Sequence, residues 1–320
     1  MAAATGGRVI DSSGWGAISI TQSAKVAFKV LTGGLWALRS LRSGEPGLLI
    51  PIDFGFFNIR LCRAARRAGW KVIYFVPPGC WRRDRQGVDI PKVADAIVTP
   101  FPWSAEIYRA MGANVHWFGH PLKQLVAGSS VPERTHGGIA VLPGSRKHEV
   151  SLNLPLIAAA IAGRAERVEI AVAPSLSIEW VRGQWPGEAT FTQADTYGVL
   201  RRARAAVVCS GTATLEAALC GCPTVVVYKL SPTMSLEVAI VRPKAPFVSL
   251  PNILLNRWVL PELVHKKARV ESVRDELAAL LADGPARDAQ LEAFREISEI
   301  LGPSDAITQT ARYAVEFWRR

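Results

Sequence analysis

The sequence lacks most of the signatures that announce chemistry directly. Its five cysteines, at positions 62, 80, 209, 220 and 222, are odd in number and never form a CxxC pair. That excludes a zinc ribbon or a dithiol redox site, and their apolar surroundings predict reduced core thiols of a cytoplasmic protein. No apolar stretch reaches the about 18 residues of a membrane-spanning helix. The longest near the start, Ala27 to Leu38, is broken by Lys29. A basic start with an apolar core and a small-residue cleavage site is missing too, so no secretory leader is expected. Neither GxxxxGK[ST] nor GxGxxG follows a predicted strand, which excludes a P-loop and a dinucleotide fingerprint. Repeats, heptads and low-complexity tracts are absent.

What is present is length and positive charge. The 320 residues suffice for two domains of ordinary size. With 38 Lys and Arg against 27 Asp and Glu the formal charge is +11, which favours an anionic partner. The charge is spread and no aromatic-basic recognition motif accompanies it, so nucleic acid is not the expected partner.

Residues 1–22 predict no firm element. Ser23 to Leu41 reads as a helix with Lys25, Lys29, Arg39 and Arg42 on one side and Val26, Val30, Leu38 and Leu41 broadly opposite. Such a helix suits either an anionic lipid surface or packing on its own domain. A buried strand Leu48–Asp53, a helix Asn58–Ala68, strands Lys71–Val76 and Asp95–Thr99, a helix Trp103–Met111 and a strand Val115–Phe118 follow. This alternation predicts a parallel, doubly wound α/β sheet. Asp53 falls at the carboxyl end of its strand, where ligands of such sheets bind, and is either a general base or a helix cap. The loop 77–85, with Trp81, Arg82, Arg83 and Arg85, suits a phosphate or simple solvation. His120 is either a ligand contact or a hydrogen-bonded structural histidine.

Residues 123–137 read as a linker. A second α/β unit follows with strands Gly138–Leu142, Glu169–Val172, Ala189–Thr192, Ala205–Cys209 and Thr224–Tyr228, and a helix near Pro261. Helices Val273–Ala282, one ending at Ile300 and one starting at Asp305 close the chain. The last has an apolar stripe of Ile307, Ala311, Ala314, Val315 and Trp318, expected to pack back on the first domain. The predicted organisation is residues 1–130, 131–302 and 303–320.

Two strand ends in the second domain suit an anion. Gly144, Ser145 and Arg146, with Glu149, follow the first strand. Ser210-Gly211-Thr212-Ala213-Thr214-Leu215-Glu216 leads from a strand into a helix, whose free N–H groups favour phosphate. Glu216 misses capping-box spacing and is placed to address ribose hydroxyls. The plainer reading is a well-capped helix. Asn252 lies at a predicted turn.

Ile52-Asp53 with Phe57-Asn58, Phe118-Gly119-His120-Pro121-Leu122, Leu142-Pro143-Gly144-Ser145-Arg146 with Glu149-Val150, the Ser210–Glu216 motif, Tyr228-Lys229 with Ser231-Pro232, and Val248-Ser249-Leu250-Pro251-Asn252 occur in one order. Together they resemble lipid-A-disaccharide synthase from roughly Trp15 onward. The resemblance implies a GT-B fold of two Rossmann-type domains facing a cleft. It also implies inverting transfer of a diacylglucosamine from UDP to the 6-hydroxyl of a lipid-linked glucosamine phosphate, at the inner membrane surface. By matching position Asp53 is the base, and Arg146, Ser210–Thr214, Glu216 and Asn252 hold UDP, with Gly144, Ser145 and Glu149 beside them. Asn58, Trp81, Arg82, His120, Lys229 and Arg257 are candidate acceptor or phosphate contacts. No DxD-type motif is present, so no metal or other cofactor is expected, and the charge of the leaving group falls to backbone dipoles and basic side chains.

Family members carry a leading strand and a Gly-Glu-Ala-Ser-Gly-Asp loop before the region of Trp15, which this sequence does not show. Its first domain is therefore expected to be incomplete with an exposed parallel edge, so that either the recorded start is internal, or another chain, such as a homodimer partner, covers the edge, or the chain is a divergent relative with an altered acceptor side. Other departures are Phe56, Arg83 and Asn256-Arg257-Trp258. A GT-B enzyme with another donor or acceptor, a UDP-N-acetylglucosamine 2-epimerase-like enzyme, and a silent nucleotide-binding peripheral membrane protein are the alternative readings.

Overall fold

The computed structural model describes residues 20–78, 85–129, 137–231, 234 and 246–320. Trp81 and Arg82 lie outside the described residues. The chain divides into two compact units, Met1–Gln124 with Leu301–Arg320, and Leu125–Ile300. Among the described residues no helix is long and apolar enough to cross a membrane.

The first unit runs α1 (Ile20–Ser43), β1 (Leu48–Leu49), α2 (Gly55–Arg67), β2 (Lys71–Phe75), α3 (Arg85–Val93), β3 (Ala96–Val98), α4 (Pro102–Ala110) and β4 (Val115–His116). The strands form one parallel sheet in the order β1-β2-β3-β4. Helix α5 (Pro121–Ala127) follows. Side chains alternate across β2: Ile73 joins Ala96 and Val98 in the cluster with Ala314, Tyr313 and Phe317 of the C-terminal helix, whereas Val72 and Tyr74 are buried on the other face.

Leu48–Asp53 is not the buried strand expected. Only Leu48 and Leu49 pair with β2, a single bridge joins Ile52 to Phe75, and Ile50 and Ile52 are 40% and 57% exposed. Among the described residues β1 is the outermost strand of its sheet, with β2 as its partner. Helix α5 likewise occupies the start of the expected linker, because Val126 is buried in the second unit's core and the His120 ring nitrogen accepts the Leu122 N–H at the helix start.

The second unit runs β5 (Gly138–Leu142), α6 (Lys147–Ile161), β6 (Arg167–Val172), α7 (Ile178–Arg182), β7 (Thr190–Gln193), α8 (Thr196–Arg202), β8 (Ala203–Cys209), α9 (Ala213–Leu219), β9 (Thr224–Tyr228), α10 (Leu250–Leu255), β10 (Glu262–Val264), α11 (Val270–Leu281) and α12 (Pro285–Ile300). All six strands are parallel, in the order β10-β9-β8-β5-β6-β7. This is the 3-2-1-4-5-6 order of a doubly wound Rossmann sheet. Ile139, Val141 and Val207 pack into one core while Ala140, Leu142, Ala206 and Val208 pack into another, so the strands read as apolar runs because helices cover both faces. Where a helix was expected near Pro261 the chain forms β10. The Pro261 carbonyl accepts the Val226 N–H at 2.9 Å, and Leu263 is buried in the core.

The chain ends with α13 (Ala306–Arg319) on the first unit. Its entry is pinned at Gly119, where φ is +100°. There the His120 N–H donates to the Leu301 carbonyl at 2.9 Å and Lys123 Nζ to the Gly302 carbonyl at 2.6 Å. A Cβ on Gly119 would fall inside contact distance of the Pro303 carbonyl. Gly119→Ala is therefore expected to destabilise the first unit by about 2 kcal/mol or more, read as a lowered midpoint in urea unfolding.

Candidate functional site

A cavity of about 450 Å³ opens in the second unit at the carboxyl ends of β5, β6 and β8. It lies where the winding of the sheet reverses, since β6 and β7 lie on one side of β5 and β8 on the other. Open α/β sheets bind ligands at this switch point. The cavity is lined by Gly144, Ser145, Arg146 and Glu149 after β5, by Ser210, Gly211, Thr212 and Ala213 after β8, and by Glu216 and Thr196.

Glu149 organises the first of these turns. Its buried carboxylate accepts the Ser145 N–H at 3.1 Å and Arg146 Nη1 at 2.7 Å. Gly144, at φ +117°, lets the turn close, because a Cβ there would sit 2.8 Å from the Glu149 side chain. The second turn depends on Gly211, at φ +151°, where an added Cβ would meet nothing within 4 Å. The backbone there is open to a ligand; the Thr214 N–H is taken by the Gly211 carbonyl and those of Leu215 and Glu216 by the Thr212 carbonyl, and the Thr212 and Ala213 N–H groups come before them. Thr214 does not line the cavity. Its hydroxyl donates to the Gly211 carbonyl at 2.8 Å and fixes the turn from behind.

Glu216 sits half-buried on the cavity wall, accepting from the Tyr197 hydroxyl at 3.1 Å. Burial raises its carboxyl above the usual range, and the Tyr197 hydrogen bond only partly opposes this. Burial also pushes the Tyr228 hydroxyl and the Cys209 thiol up to about 12, with the Glu149 carboxylate as second cause in each case.

In the first unit Asp53 is exposed, beyond the end of β1 and next to Ile52, which bridges Phe75. Asp53 and Phe54 are consecutive non-glycine residues in the left-handed region, at φ 46° and 45°. Each such residue costs about 1 kcal/mol or more. The turn is held by its carbonyl: Tyr74 Oη and Asn58 Nδ2 both donate to the Asp53 C=O at 2.8 Å, and Asn58 Nδ2 also reaches the Ile52 carbonyl at 3.1 Å. Both amide protons of Asn58 are thus engaged within the turn.

Residues 28–311 match the sequence model of the lipid-A-disaccharide synthetase family. The chain belongs to that family. Lipid-A-disaccharide synthase of Syntrophus aciditrophicus is 30% identical over 95% of this chain and 84% of its own. That of Koribacter versatilis is 33% identical over 82% of this chain and 73% of its own. Solved structures with this fold include the S. aureus MnaA–UDP co-structure, with a TM-score of 0.60 and 12% identity over 92% of this chain and 83% of that one. Acinetobacter baumannii MurG gives a TM-score of 0.52 and 14% identity over 91% and 79%. The fold is that of GT-B glycosyltransferases, and the chain is a glycosyltransferase of lipid A biosynthesis.

Several residues that the lipid-A-disaccharide synthase resemblance put at the substrates lie outside this cavity and make bonds within the fold. Asn252 is buried away from the cavity, with Nδ2 donating to the Leu260 carbonyl and the Glu262 carboxylate and Oδ1 accepting the Val259 and Leu260 N–H groups. Its hydrogen-bonding capacity is spent on shaping the loop. Arg257 pairs with Glu296 at 2.5 Å on the surface. His120 is buried against Phe101, burial lowers it to about 4, and its Nδ1 accepts the Leu122 N–H. Lys229 is exposed at the end of β9, its N–H held by Asn153 Oδ1 at 2.8 Å. Among the described residues no group of three or more His, Cys, Asp or Glu is placed to hold a metal ion.

Two organising residues were not read from the sequence. Glu262 accepts the Val248 and Ser249 N–H groups, the Ser249 hydroxyl and Asn252 Nδ2, while Ser210 Oγ donates to the Val248 carbonyl at 3.1 Å and joins that loop to the Gly211 turn. Asn153, fully buried, donates to the Glu149 carbonyl at 2.9 Å and accepts from Lys229. A lone Glu in a short apolar run and an Asn inside a helix were the available signals.

Because its folded-state pKa is raised, Glu216 penalises folding once it ionises. The penalty is absent below the unfolded value of about 4.3 and grows as pH rises through the folded value. Glu216→Gln keeps an acceptor for Tyr197 and is expected to raise the thermal midpoint at pH 7.5 but not at pH 4. Unfolding scans at the two pH values check this.

Proposed function

We propose that the chain transfers an acylated glucosamine from a UDP donor to the hydroxyl of a lipid-linked glucosamine phosphate on an anionic membrane surface. The observation that carries the donor assignment is the switch-point cavity, where an open glycine turn, a guanidinium and a carboxylate lie on one wall system. Thr212 and Ala213 N–H groups and Arg146 take the diphosphate, and Glu216 takes ribose hydroxyls. Arg146 spends one Nη1 contact on Glu149, which leaves further donors of its fork for phosphate.

In this reading Asp53 accepts the proton of the acceptor hydroxyl as its oxygen attacks the anomeric carbon. The bond from that carbon to the β-phosphate oxygen breaks, its electron pair leaves with UDP, and configuration inverts. The N–H groups and Arg146 stabilise the charge that develops on the diphosphate, so the step calls on no metal. Family membership and the net charge of +11 support an anionic lipid-linked acceptor held at a membrane surface.

Mass spectrometry of products from a panel of UDP-acylglucosamines tests the transfer. Arg146→Ala is expected to weaken UDP binding about tenfold or more, the worth of one charge-assisted hydrogen bond. Asp53→Asn is expected to lower kcat by about a hundredfold or more with UDP affinity unchanged. Turnover indifferent to Asp53→Asn sinks the base assignment, and UDP binding without turnover by the unaltered chain marks a silent nucleotide-binding protein instead.

A further inference from the structure

We propose that Tyr74 and Asn58 are positioning residues for Asp53, locking the peptide that sets the direction of its carboxylate. The proposal rests on the reading of Asp53 as the base. Its own content is that the carboxylate is aimed by two side chains that never touch substrate.

The turn is over-determined at one atom. The Asp53 carbonyl has two lone pairs, and the Tyr74 hydroxyl and the Asn58 amide each fill one at 2.8 Å. The Asp53 N–H is held by the Phe75 carbonyl at 3.2 Å, and the Phe54 carbonyl receives the Asn58 N–H at 3.0 Å as α2 begins. The Asp53–Phe54 peptide is therefore held at its carbonyl while the peptide before it and the peptide after it are each held too, and it couples the two left-handed residues. Without the two donors the carbonyl is free to rotate toward the extended region that a non-glycine residue prefers, and the carboxylate turns with it.

The identity of the residues fits this role better than packing does. Tyr74 is fully buried on the face of β2 that Val72 shares, where phenylalanine would fill the volume without a hydroxyl to satisfy. A buried hydroxyl costs free energy unless it is bonded, so its presence is explained by the bond it makes. Asn58 sits in the first turn of α2, and its side chain bends back to two successive carbonyls instead of pointing to solvent. Two donors arriving from different elements, β2 and α2, at the residue with the strained backbone form a clamp. A hydroxyl that merely found the nearest acceptor needs no second donor on the same oxygen.

Steady-state kinetics of Tyr74→Phe and Asn58→Ala, with a UDP-acylglucosamine donor and a lipid-linked acceptor, test the clamp. Each is expected to lower kcat about tenfold while donor KM and UDP affinity stay within about twofold, since a misplaced base slows the chemical step without touching the donor. The loss should be the same across the pH profile, because aim and not ionisation has changed. On an Asp53→Glu background, where the carboxylate is already displaced, Tyr74→Phe should cost less than about twofold. A folded Tyr74→Phe with unaltered kcat, or the same tenfold loss on the Asp53→Glu background, overturns the clamp while leaving the base assignment intact. Full turnover by Asp53→Asn overturns both. Should Tyr74→Phe fail to fold, Asn58→Ala, altering a half-buried helix-start residue, carries the same readouts.

Discussion

The second unit is governed by the need of an all-parallel sheet to be covered on both faces. Once Ile139, Val141 and Val207 face one helical layer and Ala140, Leu142 and Val208 the other, no side chain within those strands is free for chemistry. Polar function is confined to strand ends, and the reversal of winding between β5 and β8 parts two loops there. The cavity follows from topology. Its character follows from the turns, since a residue with a Cβ at Gly144 would displace Glu149 and one at Gly211 would stand where a ligand must approach. Buried carboxylates then do what backbone alone cannot: Glu149 holds the Ser145–Arg146 turn, and Glu262 gathers the donors of the 248–252 loop.

That division explains what was legible in the sequence. Strand β5 and strand β9 end where their apolar runs end, and the two glycine turns are visible because a strand, a small-residue turn and a helix start leave a local pattern. The bonds between distant segments leave none. Asn252 looks like a ligand residue from its place after Pro251, yet its partners at 259, 260 and 262 exist only once β10 pairs with β9. The same pairing turns an expected helix near Pro261 into a strand, a tertiary override of local pattern. Leu48–Asp53 fails for the opposite reason: its apolar content predicts burial, but among the described residues β1 ends the sheet order and Ile50 and Ile52 are exposed.

Charge behaves in the same way. A formal +11 suggests a surface ready for anions, but many of the cations are already engaged. Arg202 bridges Glu169 and Asp195, Arg204 pairs with Asp283, Arg257 with Glu296, and Arg63 and Lys92 share Asp89. At the cavity itself Arg146 is half-committed to Glu149. In the proposed reading, a diphosphate there leans on oriented N–H groups, which need no counter-charge and are held by the fold, with the guanidinium supplying direction more than bulk charge.

Stability is given up at the same few places. Glu216 is kept half-buried with its carboxyl raised by desolvation, and Asp53 and Phe54 are held in a backbone region that neither would choose. In both cases a tyrosine hydroxyl from a neighbouring element stands against the cost, Tyr197 at Glu216 and Tyr74 at the Asp53 carbonyl. Tyrosine suits this task because its ring packs as core while its single hydroxyl reaches one defined point. If Asp53 and Glu216 act as proposed, rigid aromatic struts at both mean that the fold fixes direction before substrate arrives, so binding free energy need not be spent on ordering the two carboxylates.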